Sequence, residues 1–278
     1  MRAIASTAAL ALALAACDRP DVLVVCHNSN CAEPADPDMD DTIVALRESL
    51  ALQLDGRPVI DGIELDLFWR GADGVCLLAH DLAGGITDLA SDAATVIADH
   101  VATAGELTAG GGPLNVFIEL KAHVGADTSA RHTPAQRVQH ARCAWEVYAR
   151  IADAAVANGR ELQVFFASFG PELLREMIAQ RPASVPFEPR YEAFYGIPRP
   201  LDSETRPLSD YAGLPISLVE FHAQWIHDAQ YEGVISAGID VGVFMFSATV
   251  ETFAVIEQYQ PTFVNTSEAR LLRRWLLD

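Results

Sequence analysis

The chain has 278 residues, half of them apolar and 21% charged, enough for one large α/β domain with a sizeable core. Its 38 acidic residues against 19 basic ones leave a formal charge of −19. That balance argues against nucleic acid or an anionic membrane surface as a partner, because both demand a basic face.

In chain order, residues 1–16 read as a signal peptide: Arg2 precedes an apolar stretch over 9–16 that is too short to span a bilayer. The ending Leu14-Ala15-Ala16-Cys17 resembles the bacterial lipobox, which implies cleavage before Cys17 and lipidation of its thiol. The expected location is the bacterial cell envelope, with a lipid anchor as the membrane contact. The folded domain is expected over 21–278. Its four remaining cysteines, Cys26, Cys31, Cys76 and Cys143, suggest up to two disulfides whose pairing is not readable.

The apolar run 21–26 reads as a buried strand ending at His27, and helical spacing covers Thr42 to Leu54. The run 62–68 is a second strand, the segment 69–74 a turn, and 75–81 a return segment carrying His80 and Asp81. A helix over 91–104 precedes a strand at 115–121. A helix follows from Pro134 to Ala157, then a strand at 162–169 and a helix from Pro171 to Gln180. The Pro-rich stretch 182–200 reads as irregular around a short strand. Strands at 216–222, 241–247 and 262–265 and a C-terminal amphipathic helix close the pattern. Strands alternating with helices, most of the strands near-continuously apolar, predict a parallel sheet, and about eight units predict a single (β/α)8 TIM-type barrel. His123, His132 and His140 fall on a polar loop and helix and are expected at the surface.

Residues i and i+2 of a strand share a face. Glu64 and Asp66 therefore lie opposite Ile63, Leu65 and Leu67, while Glu119 and Lys121 lie opposite Val116, Ile118 and Leu120. If these strands are neighbours, three carboxylates converge. Such a cluster is costly unless a hard divalent cation, Ca²⁺ or Mg²⁺, neutralises it. Glu220 and His222, at the end of a late strand, are expected to line the same pocket.

The order of His27, Glu64-x-Asp66, His80-Asp81 and Glu119-x-Lys121 resembles the glycerophosphodiester phosphodiesterase family of phospholipase-C-like TIM-barrel enzymes. The segment 167–182 is similar to that family's Ser-Phe-x-Pro motif, and 262–275 to its closing strand and helix. The usual His-Arg-Gly is His27-Asn28-Ser29 here, which resembles the phosphatidylinositol-specific phospholipase C branch. A terminal motif of the family is replaced by Asn265-Thr266-Ser267, and a late Trp-Thr motif by Phe246-Ser247.

The resemblance implies hydrolysis of glycerophosphodiesters or related phospholipid head-group diesters. By it, His27 and His80 are the acid–base pair and Glu64, Asp66 and Glu119 the metal ligands. Lys121 would contact phosphate, and Asn28 would do so where arginine is absent. Two rivals accompany this reading. One is a phospholipase C/D-like enzyme forming a cyclic phosphate, with Phe187, Phe194 and Tyr195 as an apolar rim. The other is a degenerate barrel serving as an envelope binding protein.

Overall fold

The computed structural model describes residues 21–32, 37–80, 88–124, 127–195, 208–245 and 247–278. Cys17, Asp81 and Phe246 lie outside them. Eight parallel strands carry the fold: β1 (Leu23–Cys26), β2 (Gly62–Arg70), β3 (Leu114–Leu120), β4 (Leu162–Ala167), β5 (Arg190–Tyr195), β6 (Ile216–His222), β7 (Asp240–Met245) and β8 (Phe263–Thr266). Each pairs with its neighbours in chain order. The sheet closes where Val25 and Cys26 of β1 meet Gly62 and Ile63 of β2 on one side and β8 lies on the other. The predicted barrel is therefore the observed one.

The described helices are α1 (Ile43–Leu50), α2 (Ala90–Thr103), α3 (Pro134–Ala157), α4 (Pro171–Ala179), α5 (Asp228–Ser236), α6 (Val250–Tyr259) and α7 (Ala269–Leu277). The start of α3 follows from its sequence: Thr133 and Gln136 form a reciprocal capping box, and Pro134 occupies the first turn. α1 stops at Leu50, short of the expected Leu54. Asp55 and Gly56, at φ +52° and +80°, instead turn a hairpin between Gln53–Leu54 and Arg57–Pro58.

Two cores follow from the alternation along the strands. Ile63, Leu65, Leu67, Val116, Ile118 and Leu120 belong to the layer between barrel and helices. Val25, Phe117, Phe165, Leu218 and Phe263 form a separate cluster inside the barrel. Phe117 and Phe165 stack there at 4.3 Å, with Phe263 tilted against Phe117 at 4.8 Å. This aromatic plug closes the lumen, so polar groups nearer the strand C-termini rest on an apolar floor. Gly62 permits the closure: a Cβ there would come within 2.8 Å of the Asn115 carbonyl oxygen.

The disulfides pair Cys26 with Cys31 and Cys76 with Cys143. The second ties the strand Val75–Leu78, antiparallel to the far half of β2, to α3. Two sequence expectations fail. His132 and His140 are buried, each donating its Nε2–H to a strand-end carbonyl, of Lys121 at 3.1 Å and Leu67 at 3.0 Å. Phe194 is buried within β5 rather than on an exposed rim, and Phe187 packs against the core.

Candidate active site

In the half of β2 that pairs with β3, strand register sets Asp66 beside Glu119 near the end of β3, and Glu64 beside Phe117. Ligand oxygens of Glu64, Asp66 and Glu119 lie within 4.8 Å of one another, and all three side chains are buried. Lys121 Nζ reaches Asp66 Oδ2 at 2.6 Å and Glu119 Oε2 at 3.0 Å. The two alternating pairs found in the sequence thus form one cluster.

Its electrostatics are those of an acid-rich pocket with a single lysine. Burial is the largest cause raising Glu64 to about 7, with the Glu119 charge adding and Lys121 opposing. Burial likewise lifts Asp66 to about 6, against the pull of Lys121. Burial alone would lower the Lys121 pKa, but Asp66, Glu119 and Glu64 outweigh it and hold the ammonium above its ordinary range. Three buried carboxylates and one ammonium leave excess negative charge, and Asp66 Oδ1 has no hydrogen-bond donor. A hard, oxygen-seeking divalent cation fits that donor set.

His27 follows β1 on a short 3-10 turn, His27–Ser29, in which Asn28 and Ser29 adopt φ of +48° and +57°. Asparagine tolerates this conformation, whereas for serine it costs roughly 1–2 kcal/mol. Several contacts hold the turn. Ser29 Oγ donates to the Glu64 carbonyl at 2.7 Å, Asn28 N–H donates to Glu64 Oε2 at 3.2 Å, and Asp41 N–H donates to the Asn28 carbonyl at 2.8 Å. The Cys26–Cys31 bridge brackets it. His27 Nε2 stands 3.9 Å from Glu64 Oε2. Burial, and secondarily Lys121, lower the His27 pKa to about 3, so the imidazole is neutral at physiological pH.

The other expected residues distribute as follows. The Asn28 side-chain amide donates to Asp40 Oδ2 at 3.2 Å, and only its backbone N–H meets Glu64. Glu220 and His222 are buried at the end of β6. His222 Nδ1 accepts from Gln224 N–H at 3.1 Å, and burial lowers its pKa to about 4. Phe244 touches both imidazoles, at 4.4 Å from His27 and 5.4 Å from His222. His80 is exposed, next to Ala79, whose N–H donates to the Asp66 carbonyl at 2.9 Å.

Sequence reasoning missed three members of this neighbourhood. Asn265 Nδ2 donates to Glu64 Oε2 at 2.9 Å. Asp41 Oδ1 accepts from the Asp66 N–H at 3.2 Å. Glu192 of β5 is buried in the lumen, with its pKa raised by burial and by Glu220, Glu64 and Glu119. Its sequence signal was an acid inside the aromatic run 190–195, hidden by the surrounding prolines.

No family model and no curated protein matches the sequence. Solved structures do match its fold. A glycerophosphodiester phosphodiesterase described as putative, from Galdieria sulphuraria, superposes with a TM-score of 0.61 at 16% identity, covering 94% of this chain and 99% of its own. An Oleispira antarctica phosphodiesterase, solved with the product sn-glycerol-3-phosphate, gives 0.58 at 13% identity over 92% and 97%. A calcium-dependent phosphoinositol-specific phospholipase C from a Pseudomonas species gives 0.53 at 10% identity over 90% of each chain. The chain therefore has the TIM-barrel fold of glycerophosphodiester phosphodiesterases and their phospholipase C relatives.

Proposed function

We propose that this chain is a metal-dependent phosphodiesterase acting on glycerophosphodiesters or related phospholipid head-group diesters. The observation that carries the reading is the buried Glu64–Asp66–Glu119 cluster with Lys121, facing a neutral His27. Such a constellation serves phosphoryl chemistry and adds nothing to a merely structural barrel. Glu64, Asp66 and Glu119 would hold a Ca²⁺ or Mg²⁺ ion, which would supply a Lewis acid for the phosphate. Lys121 would add fixed positive charge, and Asn28, whose backbone N–H meets Glu64 Oε2, would stand beside the phosphate.

His27, with its Nε2 3.9 Å from Glu64 Oε2 at the edge of the cluster, would be the general base, taking the proton of the attacking water as oxygen bonds to phosphorus. The phosphorus–alkoxide bond breaks on the other side, and His80 returns a proton to the departing oxygen. Glu220 and His222, buried at the end of β6, would line the substrate site. The test is release of alcohol and phosphomonoester from glycerophosphodiesters by the wild type, with loss in His27→Ala. The phospholipase-like alternative, favoured by the His27-Asn28-Ser29 turn, replaces water by a substrate hydroxyl. Phosphorus NMR of the product separates the two, because only that route gives a cyclic phosphate.

Export and lipidation at Cys17 belong to the same proposal. The two disulfides support an oxidising compartment. Detergent-phase partitioning that is abolished by Cys17→Ser is the expected result, and a soluble wild type refutes it.

A further inference from the structure

The lumen holds a second polar group beside the carboxylate cluster. Register places Asp66, Glu119, Ala167 and Glu192 in one row across β2, β3, β4 and β5. The small Ala167 leaves no bulky side chain between Glu119 and Glu192. On β6, Glu220 lies one strand over, opposite Phe194. Asn265 of β8 reaches Glu220 from the other side while donating to Glu64 Oε2 at 2.9 Å.

These side chains are 2%, 3% and 2% exposed for Glu192, Glu220 and Asn265, yet Glu192 Oε1, Glu220 Oε1 and Asn265 Oδ1 have no hydrogen-bond partner. Leaving buried acceptors unpaired is costly. Asn265 matters most here, because a neutral amide cannot relieve its carbonyl by taking up a proton. Asn265 Oδ1 can only accept, while burial pushes Glu192 and Glu220 towards their protonated forms; a cationic donor is the partner that lets both carboxyls ionise and all three atoms accept.

A second metal ion suits the site poorly. Among the described residues, the one set of three carboxylates or imidazoles with ligand atoms within 4.8 Å of one another is Glu64, Asp66 and Glu119. Glu192 and Glu220 acquire no third such ligand. A primary ammonium, with three N–H donors and one positive charge, matches three acceptors and the acidic surroundings. A quaternary ammonium has the charge but no donors. A polyol has donors but no charge.

We infer that Glu192, Glu220 and Asn265 form a subsite for a primary ammonium, so that the preferred diester carries an aminoalcohol head group of the ethanolamine type. This deepens the phosphodiesterase reading and rests on it for the placement of the phosphate at Lys121. Neither proton transfer nor bond cleavage is assigned to these residues. Their role is to bind and orient the head group.

The test is calorimetric binding of phosphoethanolamine, phosphocholine and sn-glycerol 3-phosphate to the full chain in the presence of Ca²⁺, which needs no turnover. The expected result is phosphoethanolamine binding at least about tenfold tighter than either competitor. In Glu192→Gln and in Glu220→Gln that advantage falls to about twofold or less. Two variants guard against one failing to fold, and far-ultraviolet circular dichroism confirms the barrel in each. Equal binding of the three, a preference for phosphocholine or glycerol phosphate, or an advantage unchanged in both folded variants overturns the inference. Turnover of glycerophosphodiesters without any ethanolamine preference would remove this subsite and leave the phosphodiesterase reading standing. Absence of turnover on every diester would remove that reading, while the binding ratios still judge the subsite.

Discussion

Lys121→Met isolates the electrostatic logic of the site. The lysine sits 2.6 Å from Asp66 and 3.0 Å from Glu119, and it is the cation whose charge acts on all three carboxylates. Removing one partner of a buried ion pair typically costs roughly 3–5 kcal/mol, because the other charge is left uncompensated. In a chain of this size each kcal/mol moves the melting temperature by roughly 2–4 °C, so the expected fall is on the order of 6–20 °C. The effect has a definite pH dependence. Glu64 and Asp66 are raised to about 7 and about 6, so their protonated forms stabilise the fold at low pH, and that contribution is lost as pH rises through those values. Without Lys121 both pKa values rise further, and the loss becomes steeper. Scanning calorimetry in chelator at pH 5 and pH 8 should therefore show a small deficit at pH 5 and the full deficit at pH 8. A deficit equal at both pH values, or no deficit, refutes the reasoning.

Ca²⁺ or Mg²⁺ must displace protons from Glu64 and Asp66, so affinity should strengthen from pH 5 to pH 8, with proton release visible as a buffer-dependent binding enthalpy. Binding independent of both pH and buffer would contradict the carboxylate assignment. His27→Ala should lower kcat by roughly 10²–10⁴-fold, the usual contribution of a general base. His80→Ala should do likewise if it is the acid. An equal loss in His222→Ala with His80→Ala near wild type would transfer that role to the buried imidazole. The disulfides should separate function from stability. Cys76→Ala with Cys143→Ala opens a link spanning 67 residues and should cost about 4 kcal/mol by loop entropy. Cys26→Ala with Cys31→Ala should instead reduce turnover more than melting temperature, because it releases the turn bearing His27. Circular dichroism melts beside kinetics check both.

What was legible in the sequence was local and periodic. β2 and β3 announce themselves by apolar alternation, and the same alternation places Glu64, Asp66, Glu119 and Lys121 on one face. The start of α3 follows from Thr133, Pro134 and Gln136, which act within one turn. The hairpin after α1 had a signal, Asp55-Gly56, that apolar spacing across 42–54 overrode. What stayed hidden depended on contacts far apart in the chain. Asn265 meets Glu64 across 201 residues, and His140 meets the Leu67 carbonyl across 73. Polar histidines on a helix look solvated until the strand end they clamp is known. β5 was obscured because prolines flank it and Glu192 breaks its apolar run, although that glutamate faces a lumen that is polar at this level.

The most direct test is turnover of glycerophosphodiesters by the folded chain with Ca²⁺, with Mg²⁺ and with chelator, beside Asp66→Asn. The account predicts release of a phosphomonoester that requires one of the two ions and disappears in chelator and in the variant. Turnover that persists in chelator or in Asp66→Asn, or none on any diester with either ion bound, would contradict it.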